Sequence, residues 1–446
     1  MDFSLSDHHL LIRDTVRDFM HTEVRPHVKD WERTDHFPLD AIHKLGALGC
    51  CGMLLPEEWG GPGLDTVSYV LMLEEVARVH AAMATAISVT NSAVQTPLLV
   101  YATDEQRSRY LRRLATGEIL GAFCLTEPAA GSDAAGIQAT ALLRDDSADL
   151  RHSERSEESL LAGAPPSVLE GGSSSRHYVL NGTKTWVTNG SAAGLFIVFA
   201  KTDPAAAGKG ITAFLLEPNT PGVKIGRHED KMGQRSSPSV EIILDNCVVP
   251  VSARLGEEGQ GLKIALSALD NGRIGIASLA VGLAQGALDE SVKYARARCA
   301  FGKSIGEFQA IQWMLADMHT EIEAARALVH HAAFLKDCQA ANTKSRHSEP
   351  APSAGEESLL SSTRHSPLAT SHSGTGSSSS RAKLYATEMA NRVVYRAVQI
   401  HGSLGYSRES DVERMYRDAR VLTIYEGTSE IQRTIIARDL LSHPSC

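Results

Sequence analysis

The first part of the chain carries hydrophobic residues at the spacing of amphipathic helices. Apolar residues recur at three- and four-residue intervals in stretches such as "TVSYVLMLEEVARVHAAMATAISV" and "DEQRSRYLRRLATGE", which is the pattern of a helix with one buried face. Segments rich in Gly and Pro, such as "LPEEWGGPGLD", interrupt this pattern and predict turns. Residues 1–120 are therefore predicted to form a helical N-terminal domain.

The pattern changes to short β-rich runs over residues 121–250. These runs include "HYVLNGTKTWVTNG", "LFIVFAKT", "ITAFLLEP" and "VEIILDNCVV", and residues typical of turns separate them. This predicts a middle domain built as an antiparallel sheet or small barrel. Long helical periodicity returns over residues 251–446. The whole chain is therefore predicted to be a multidomain α+β protein that ends in a helical bundle.

Two similar polar segments interrupt this arrangement. "RHSERSEESLL" occupies residues 151–161 and "RHSEPAPSAGEESLL" occupies residues 346–360, and each runs into a Ser/Gly tract. Both contain few apolar residues and cannot bury enough surface to order themselves. We interpret residues 147–176 and 343–380 as two copies of an insertion, each in a loop where closure entropy rises only slowly with length. A paired regulatory or docking element is the alternative.

Composition and charge argue against several classes of partner. The chain has 446 residues and a net charge of −9, with a pI near 6.1, so it lacks the basic surface of a nucleic-acid-binding protein. Charges are spread through the N-terminal sequence, which has no hydrophobic stretch typical of a signal peptide. The longest apolar runs, such as "LFIVFA", are too short to cross a bilayer. A cytoplasmic protein with no membrane or nucleic-acid partner is predicted.

The cysteines and the adjacent histidines do not suggest a metal site. The seven cysteines are scattered without CxxC spacing, which argues against a zinc site and against a disulfide framework. His8 and His9, like His330 and His331, are consecutive in the sequence, and consecutive residues of a helix point apart. No metal is predicted.

One glutamate near the C-terminus has an unusual setting, in the sequence "TIYEGTSEIQ". Ile424 and Tyr425 precede Glu426, and Gly427 and Thr428 break the pattern before a new helix. Apolar neighbours can desolvate a carboxylate, which raises its pKa and makes it a stronger base toward a carbon acid. A glutamate in a polar turn is usually only solvated, but this setting makes Glu426 a candidate catalytic base.

Seven motifs together resemble the acyl-CoA dehydrogenase family. They follow in order along the chain: "FCLTEPAAGSDAAG", "LNGTKTWVTNG", "EDKMGQRSS", "LDNGRIGIAS", "ARARCAFGKSIGEFQAIQ", "VQIHGSLGY" and "RDARVLTIYEGTSEIQRTIIARDLL". The resemblance covers nearly everything except the two insertions. It implies an FAD-dependent oxidoreductase that converts an acyl-CoA thioester into the trans-2-enoyl-CoA. It also assigns Glu426 as the base that takes the α-proton, because the position used by some other members is Gly272 here.

The resemblance further implies which residues bind substrate and cofactor. Those expected on the substrate side are Ser132, Asp270, Asn271, Gly272, Arg273, Tyr425 and Gly427. Those expected beside the flavin are Phe123, Leu125, Thr126, Gly131, Ser132, Trp186, Val187 and Thr188. Residues expected to reach the adenosine half of an FAD held by a neighbouring subunit, or to complete that pattern, are Arg298, Phe301, Gln309, Gln399, Gly402, Ser403, Thr428 and Glu430. Many relatives have two adjacent glycines where this chain has Gly402 and Ser403.

Partners and substrate class follow from the same resemblance. Cofactor sites shared between subunits imply a homotetramer, and an electron-transfer flavoprotein is the expected electron acceptor. The motifs "LDNGRIGIAS" and "YEGTSEIQR" look most like the short-chain, butyryl-CoA type, with a role in fatty-acid β-oxidation. Short branched acyl chains are the alternative substrate. A non-catalytic flavoprotein of the same fold is the alternative from a different functional class.

Overall fold

A computed structural model describes residues 5–145, 176–348 and 375–442 of the chain. Within these ranges a group of helices comes first, a sheet follows, and a second group of long helices ends the chain. This order confirms the predicted α+β fold with its helical, β and helical parts.

The N-terminal part is a group of helices, two of which are almost entirely buried. They are α1 (Asp7–Phe19), α2 (Val28–Thr34), α3 (Leu39–Ala47), α4 (Thr66–Val79), α5 (Ala81–Ser88), α6 (Thr96–Tyr101) and α7 (Asp104–Ala115). Side chains define several of their starts: Thr103 caps α7, with Gln106 completing a reciprocal capping box. Every residue of α5 is buried, and a π-helical segment over Val89–Gln95 continues it toward α6.

The middle part forms one eight-stranded sheet. Its strands are β1 (Leu120–Cys124), β2 (Thr140–Asp145), β3 (Arg176–Thr188), β4 (Ala193–Lys201), β5 (Ile211–Leu216), β6 (Val223–His228), β7 (Ser239–Pro250) and β8 (Arg254–Leu255). The hydrogen-bonded order is β6-β7-β3-β2-β4-β5-β8, with β1 paired to β4. Most neighbours are antiparallel as predicted, but β1 runs parallel to β4. Side-chain periodicity could not reveal this, because it reports which face is buried and not which strand lies alongside.

The C-terminal part is a bundle of long helices around one central helix. Its helices are α8 (Gly261–Ala297), α9 (Gln309–Ser348), α10 (Thr375–His401), α11 (Asp411–Arg420) and α12 (Ser429–Ser442), and a short hairpin of β9 (Cys299–Ala300) and β10 (Lys303–Ser304) joins α8 to α9. Gly282 and Gly286 of α8 lie directly against the carbonyl groups of Glu74 and Arg78 on α4. These glycines let the N-terminal helices and the bundle approach closely.

Helix α8 is long and apolar enough to cross a membrane by length and composition alone. In the folded chain, however, 72% of its most apolar window is buried inside the protein. This burial is typical of the core helix of a bundle.

The two similar polar segments lie largely outside the described residues. Residues 151–161 and residues 349–360 both fall there, while α9 continues to Ser348 and α10 begins at Thr375. The strands that flank the first segment, β2 and β3, pair antiparallel, with Asp145 opposite Arg176. The first segment therefore joins two adjacent antiparallel strands, which agrees with its predicted position in a loop.

Candidate active site

A cavity of about 1340 Å³ lies where the three parts of the fold meet. Thr85 and Val89 line it from α5 and the segment after it, Trp186 lines it from β3, and Asp270 lines it from α8. The turn before α12 adds Glu426. Residues distant in the sequence therefore form one site, and only the complete fold assembles it.

A tight turn between α11 and α12 presents Glu426 to this cavity. Its backbone is left-handed, with φ of 53° at Glu426 and 89° at Gly427. For a residue with a side chain this conformation costs on the order of 1–3 kcal/mol. Gln432 Nε2 donates to the carbonyl oxygens of both residues, at 3.2 and 3.0 Å. Neighbouring side chains therefore hold Glu426 in a backbone conformation that it would not adopt alone.

The carboxylate of Glu426 lacks the partners that a buried acid normally has. The residue lines the cavity, but its Oε2 is buried and has no hydrogen-bond partner among the described residues. Burial raises the pKa of Glu426 to about 7, and the positive charges of Arg273 and Lys383 act in the opposite direction. A carboxyl group with this pKa can take up and release a proton near neutral pH.

Gly272 of α8 leaves the space that this carboxylate occupies. A Cβ atom added at Gly272 would lie 2.7 Å from Cδ of Glu426, so any larger residue would displace the carboxyl group. The next residue, Arg273, forms an ion pair with Asp270 one turn earlier, and both line the cavity. The glycine in this helix is thus explained by the close approach of Glu426.

The side chain of Tyr425 is anchored by a polar network on the other flank of the turn. Its hydroxyl lies 3.3 Å from Thr85 Oγ1, and Gln234 Nε2 donates to it at 3.3 Å. Thr85 Oγ1 also donates to Gln234 Oε1 at 2.8 Å. Buried Asp418 accepts from the backbone N–H of Gln234 and from Arg414. The network links α5, the loop before β7 and α11 to the residue next to Glu426.

Most residues expected around the flavin ring and the acyl group line this cavity: Phe123, Leu125, Thr126, Gly131, Ser132, Trp186, Thr188, Asp270, Arg273, Tyr425, Glu426 and Gly427. Val187 is different, because it is 1% exposed and packs in the core of the sheet. Asn271 follows Asp270 on α8. Thr428 and Glu430 lie at the start of α12, where Thr428 Oγ1 accepts from the N–H of Ile431.

A second group of expected residues lies on the surface of the bundle. Within the described parts of the chain, none of them lines the cavity. Its members are Arg298, Phe301, Gln309, Gln399, Gly402 and Ser403, and all of them are exposed. Phe301, at the tip of the hairpin between α8 and α9, is 96% exposed and has a left-handed φ of 51°.

Sequence reasoning missed several polar residues of the site, and Thr85, Gln234 and Lys383 are examples. Thr85 gave no signal, because it lies in a continuous apolar helix. Gln234 belongs to the motif "EDKMGQRSS" and could have been singled out there. Lys383 falls in register with the buried positions of α10, and a lysine at such a position is a detectable anomaly. Over the described ranges, no cluster of three or more His, Cys, Asp or Glu side chains suits a metal ion.

Models of one family match most of the chain. The acyl-CoA dehydrogenase N-terminal domain matches residues 6–118, the middle domain residues 162–247, and the C-terminal domain residues 259–349 and 362–441. The chain belongs to the acyl-CoA dehydrogenase family. It is therefore a flavoprotein oxidoreductase of the class that acts on the CH–CH bond of an acyl-CoA.

Similar proteins cover the chain almost completely. An acyl-CoA dehydrogenase of Bacillus subtilis is 39% identical over 97% of each chain. An acryloyl-CoA reductase (NADH) of Anaerotignum propionicum is 38% identical over 99% of this chain and 96% of the relative.

Solved structures agree with this assignment. The butyryl-CoA dehydrogenase of Megasphaera elsdenii has a TM-score of 0.82 and 37% identity over 99% of this chain and all 100% of its own. A chain from a structure of the electron transferring flavoprotein of Acidaminococcus fermentans has a TM-score of 0.83 and 37% identity, with the same coverage. An FAD complex of an acyl-CoA dehydrogenase from Bacillus anthracis has a TM-score of 0.81 and 31% identity over 98% of this chain and 67% of its own.

Acyl-CoA dehydrogenases depend on FAD, and the residues around the cavity fit this cofactor. Trp186 is 57% exposed and lines the cavity, and its backbone is left-handed with φ of 58°. Thr126, Ser132 and Thr188 add hydroxyl groups to the lining. Ser237 Oγ, also in the lining, is buried without a hydrogen-bond partner in the described structure. The exposed Trp186 side chain can pack against the planar flavin ring, and the neighbouring hydroxyl groups can bond to the polar edge of that ring.

Proposed function

We propose that this acyl-CoA dehydrogenase desaturates a short-chain acyl-CoA to the trans-2-enoyl-CoA with Glu426 as the base. The observation that carries the proposal is the buried Oε2 of Glu426, which has no partner among the described residues and belongs to a residue lining the cavity. A carboxylate without a partner is available to a proton from the substrate, and a pKa near 7 suits that transfer at neutral pH.

The chain's own residues account for the proton and the charge in this reaction. Glu426 takes the α-proton of the thioester, and Gly427 and Gln432 keep its left-handed turn in place. Arg273 and Lys383 stabilise the ionised form of Glu426 before the transfer. Bound FAD supplies the acceptor for the hydride that leaves the β-carbon.

Packing beside the catalytic turn supports a short acyl chain. Tyr69 and Ser88 are buried and joined by a hydrogen bond of 3.1 Å. A Cβ atom added at Gly275 would lie 2.8 Å from the Tyr69 hydroxyl, so there is little free space between α8 and these residues. Gly275 lies one helical turn after Gly272, which is in contact with Glu426, so the packed region is near the proposed base. The similarity to a butyryl-CoA dehydrogenase points the same way.

The electron acceptor, assembly and location proposed here rest on similarity and on the protein surface. An electron-transfer flavoprotein is the proposed acceptor, because a similar chain comes from a structure of such a protein. The exposed aromatic residues Phe301 and Tyr406 lie near the second group of expected cofactor residues. Large exposed aromatic side chains favour contact with another subunit. We therefore propose a homotetramer with shared FAD sites. The proposed location of the enzyme is the cytoplasm.

Anaerobic titration of the purified holoenzyme tests the reaction. Butyryl-CoA, isobutyryl-CoA, 2-methylbutyryl-CoA and octanoyl-CoA are added in turn while the visible absorbance of the flavin is followed, with Glu426→Gln as the control. Bleaching by butyryl-CoA that is lost in the variant is expected. Preferential bleaching by a branched substrate would replace the straight-chain proposal. A flavin that stays oxidised with every substrate would favour a non-catalytic flavoprotein instead.

A further inference from the structure

Helix α10 carries a lysine on its buried face. Lys383 is 0% exposed and falls in register with the buried residues Ala386, Ala390 and Val393. Burying an ammonium group is costly unless its charge is compensated and its N–H groups are bonded. Its Nζ donates to the carbonyl oxygen of Gly427 at 2.8 Å. The lysine therefore contacts the catalytic turn at the residue that follows Glu426.

The charged groups around Lys383 include the catalytic base. Burial lowers the pKa of Lys383 to about 8, and the charge of Glu426 is the largest influence that opposes this. Arg273 of α8 lowers the pKa further, whereas Glu388 of α10 and Glu430 of α12 raise it. In the other direction, the positive charge of Lys383 lowers the pKa of Glu426 against the effect of burial.

We infer that Lys383 is a positioning residue for Glu426, which anchors the left-handed turn through the Gly427 carbonyl and stabilises the ionised carboxylate with its charge. This inference rests on the proposed role of Glu426 as the base. Without Lys383 the turn would depend on Gln432 for its carbonyl contacts, and Arg273 would be the main positive charge acting on Glu426.

The expected pH effect has a definite sign. Glu426 must be ionised to take a proton, so activity should rise with pH through its pKa of about 7. Removal of a nearby positive charge disfavours the ionised form and raises the carboxyl pKa, by about 1 unit or more for a close charge. The acid limb of the kcat/KM profile should then move to higher pH. Lys383 and Glu426 titrate in the same pH range, so the apparent pKa of the acid limb belongs to the two coupled groups together.

The experiment compares four forms of the holoenzyme: wild type, Lys383→Met, Lys383→Arg and Lys336→Met. Lys336 of α9 is the matched control, because burial lowers its pKa to about 8 as well, but its charged neighbours are Asp270 and Asp337. Two quantities are measured. One is the pH profile of kcat/KM for butyryl-CoA. The other is the pKa of the Glu426 carboxyl group from infrared difference spectra, with Glu426→Gln used to assign the band.

Lys383→Met should move both the acid limb and the infrared pKa upward by about 1 unit, which lowers kcat/KM at pH 6 about tenfold. Lys383→Arg keeps the charge and should retain the wild-type limb, and Lys336→Met should retain it as well. Unchanged values in Lys383→Met, or an equal shift in Lys336→Met, would overturn the inference. If Lys383→Met does not fold, Lys383→Gln replaces it, and the same acid limb in Lys383→Gln and Lys383→Arg would overturn the inference.

Failure of the proposed function would look different. If Glu426→Gln keeps the wild-type rate, Glu426 is not the base, yet the infrared pKa still measures the effect of Lys383 on its carboxyl group. A different result would be an active wild type, an inactive Glu426→Gln variant and an infrared pKa of Glu426 that stays the same in Lys383→Met. In that case Glu426 remains the base, and only the inference about Lys383 fails.

Discussion

Glu127 and Glu426 are both glutamates in buried surroundings near the cavity, but their carboxylates differ in how many hydrogen-bond partners they have. Glu127 follows the cavity-lining residues Leu125 and Thr126 in the chain, and its Oε1 pairs with Lys184 Nζ at 2.6 Å. The same carboxylate accepts from the backbone N–H groups of Gln138 and Ala139. The Oε2 of Glu426 has no such partner in the described structure.

The difference separates structural roles from chemical ones. A carboxylate whose oxygens are all bonded to donors has no lone pair to offer a substrate, and it stabilises the groups that it joins. Lys184 extends this effect to the cavity wall, because its Nζ also donates to the carbonyl oxygen of Leu125. A carboxylate left without partners weakens the fold and is available to a proton. Burial alone therefore does not mark a candidate base, whereas burial without partners supports the role proposed for Glu426.

The largest expected effect is on the reaction at Glu426. Glu426→Gln keeps the shape of the side chain but cannot accept the α-proton, so kcat for desaturation should fall by about 10²–10⁴-fold. Rapid-mixing measurements of flavin absorbance with butyryl-CoA would check this. The matched variant Glu127→Gln should retain proton transfer in whatever fraction of the protein still folds and binds FAD. Comparable losses of kcat in the two folded variants would contradict the division of roles.

The second prediction concerns stability at the buried pair. Lys184→Met removes one partner and leaves the side chain of Glu127, which is only 5% exposed, with its charge uncompensated. Breaking a buried ion pair in this way costs about 3–5 kcal/mol, so the thermal unfolding temperature should drop sharply and FAD should be lost more readily. The double variant Lys184→Met with Glu127→Leu should recover part of the loss, because no buried charge is left. A single variant as stable as the wild type would show that the pair is not structural.

Sequence reasoning found one of these two glutamates and not the other. Glu426 stood out because apolar neighbours and a glycine surround it within a few positions, so the relevant information is local. The charged partner of Glu127 comes from β3, 57 positions away in the sequence, and no local pattern links Glu127 to Lys184. The same limit applies to Tyr425 and Thr85, which touch across 340 positions.

The fold, like the site, was predictable where the information is local in the sequence and unpredictable where it depends on distant contacts. Periodicity was enough for the succession of helices, strands and helices, because each element must bury one face. The parallel pairing of β1 with β4 was not predictable, since it depends on which strand the chain passes next to. Lys383 is intermediate: its register with buried alanines was visible in the sequence, but its contact with Gly427 needed the three-dimensional structure.

A third prediction uses the cost of leaving Glu426 without partners. Its pKa is raised from 4.5 to about 7 in the folded protein, so its stability contribution is fully present below pH 4.5 and is lost as pH rises through 7. A shift of this size corresponds to about 3 kcal/mol above pH 7. Glu426→Gln should therefore unfold at a higher temperature than the wild type at pH 8, with little difference at pH 5. Glu127→Gln should show no such gain, and a Glu426→Gln variant less stable than the wild type at pH 8 would contradict the argument.

The smallest expected effect comes from the glycine that makes room for the base. Gly272→Ala puts a methyl group 2.7 Å from Cδ of Glu426, and the carboxyl group must turn toward the cavity to avoid it. We expect kcat/KM to fall about tenfold, since a displaced base is poorly aligned with the substrate. Alanine is up to about 1 kcal/mol better than glycine inside a helix, so the unfolding temperature should not fall, which separates misalignment from misfolding. An unchanged kcat/KM would mean that the position of Glu426 tolerates this methyl group, and that the space beside Gly272 does not help to set the geometry of the base.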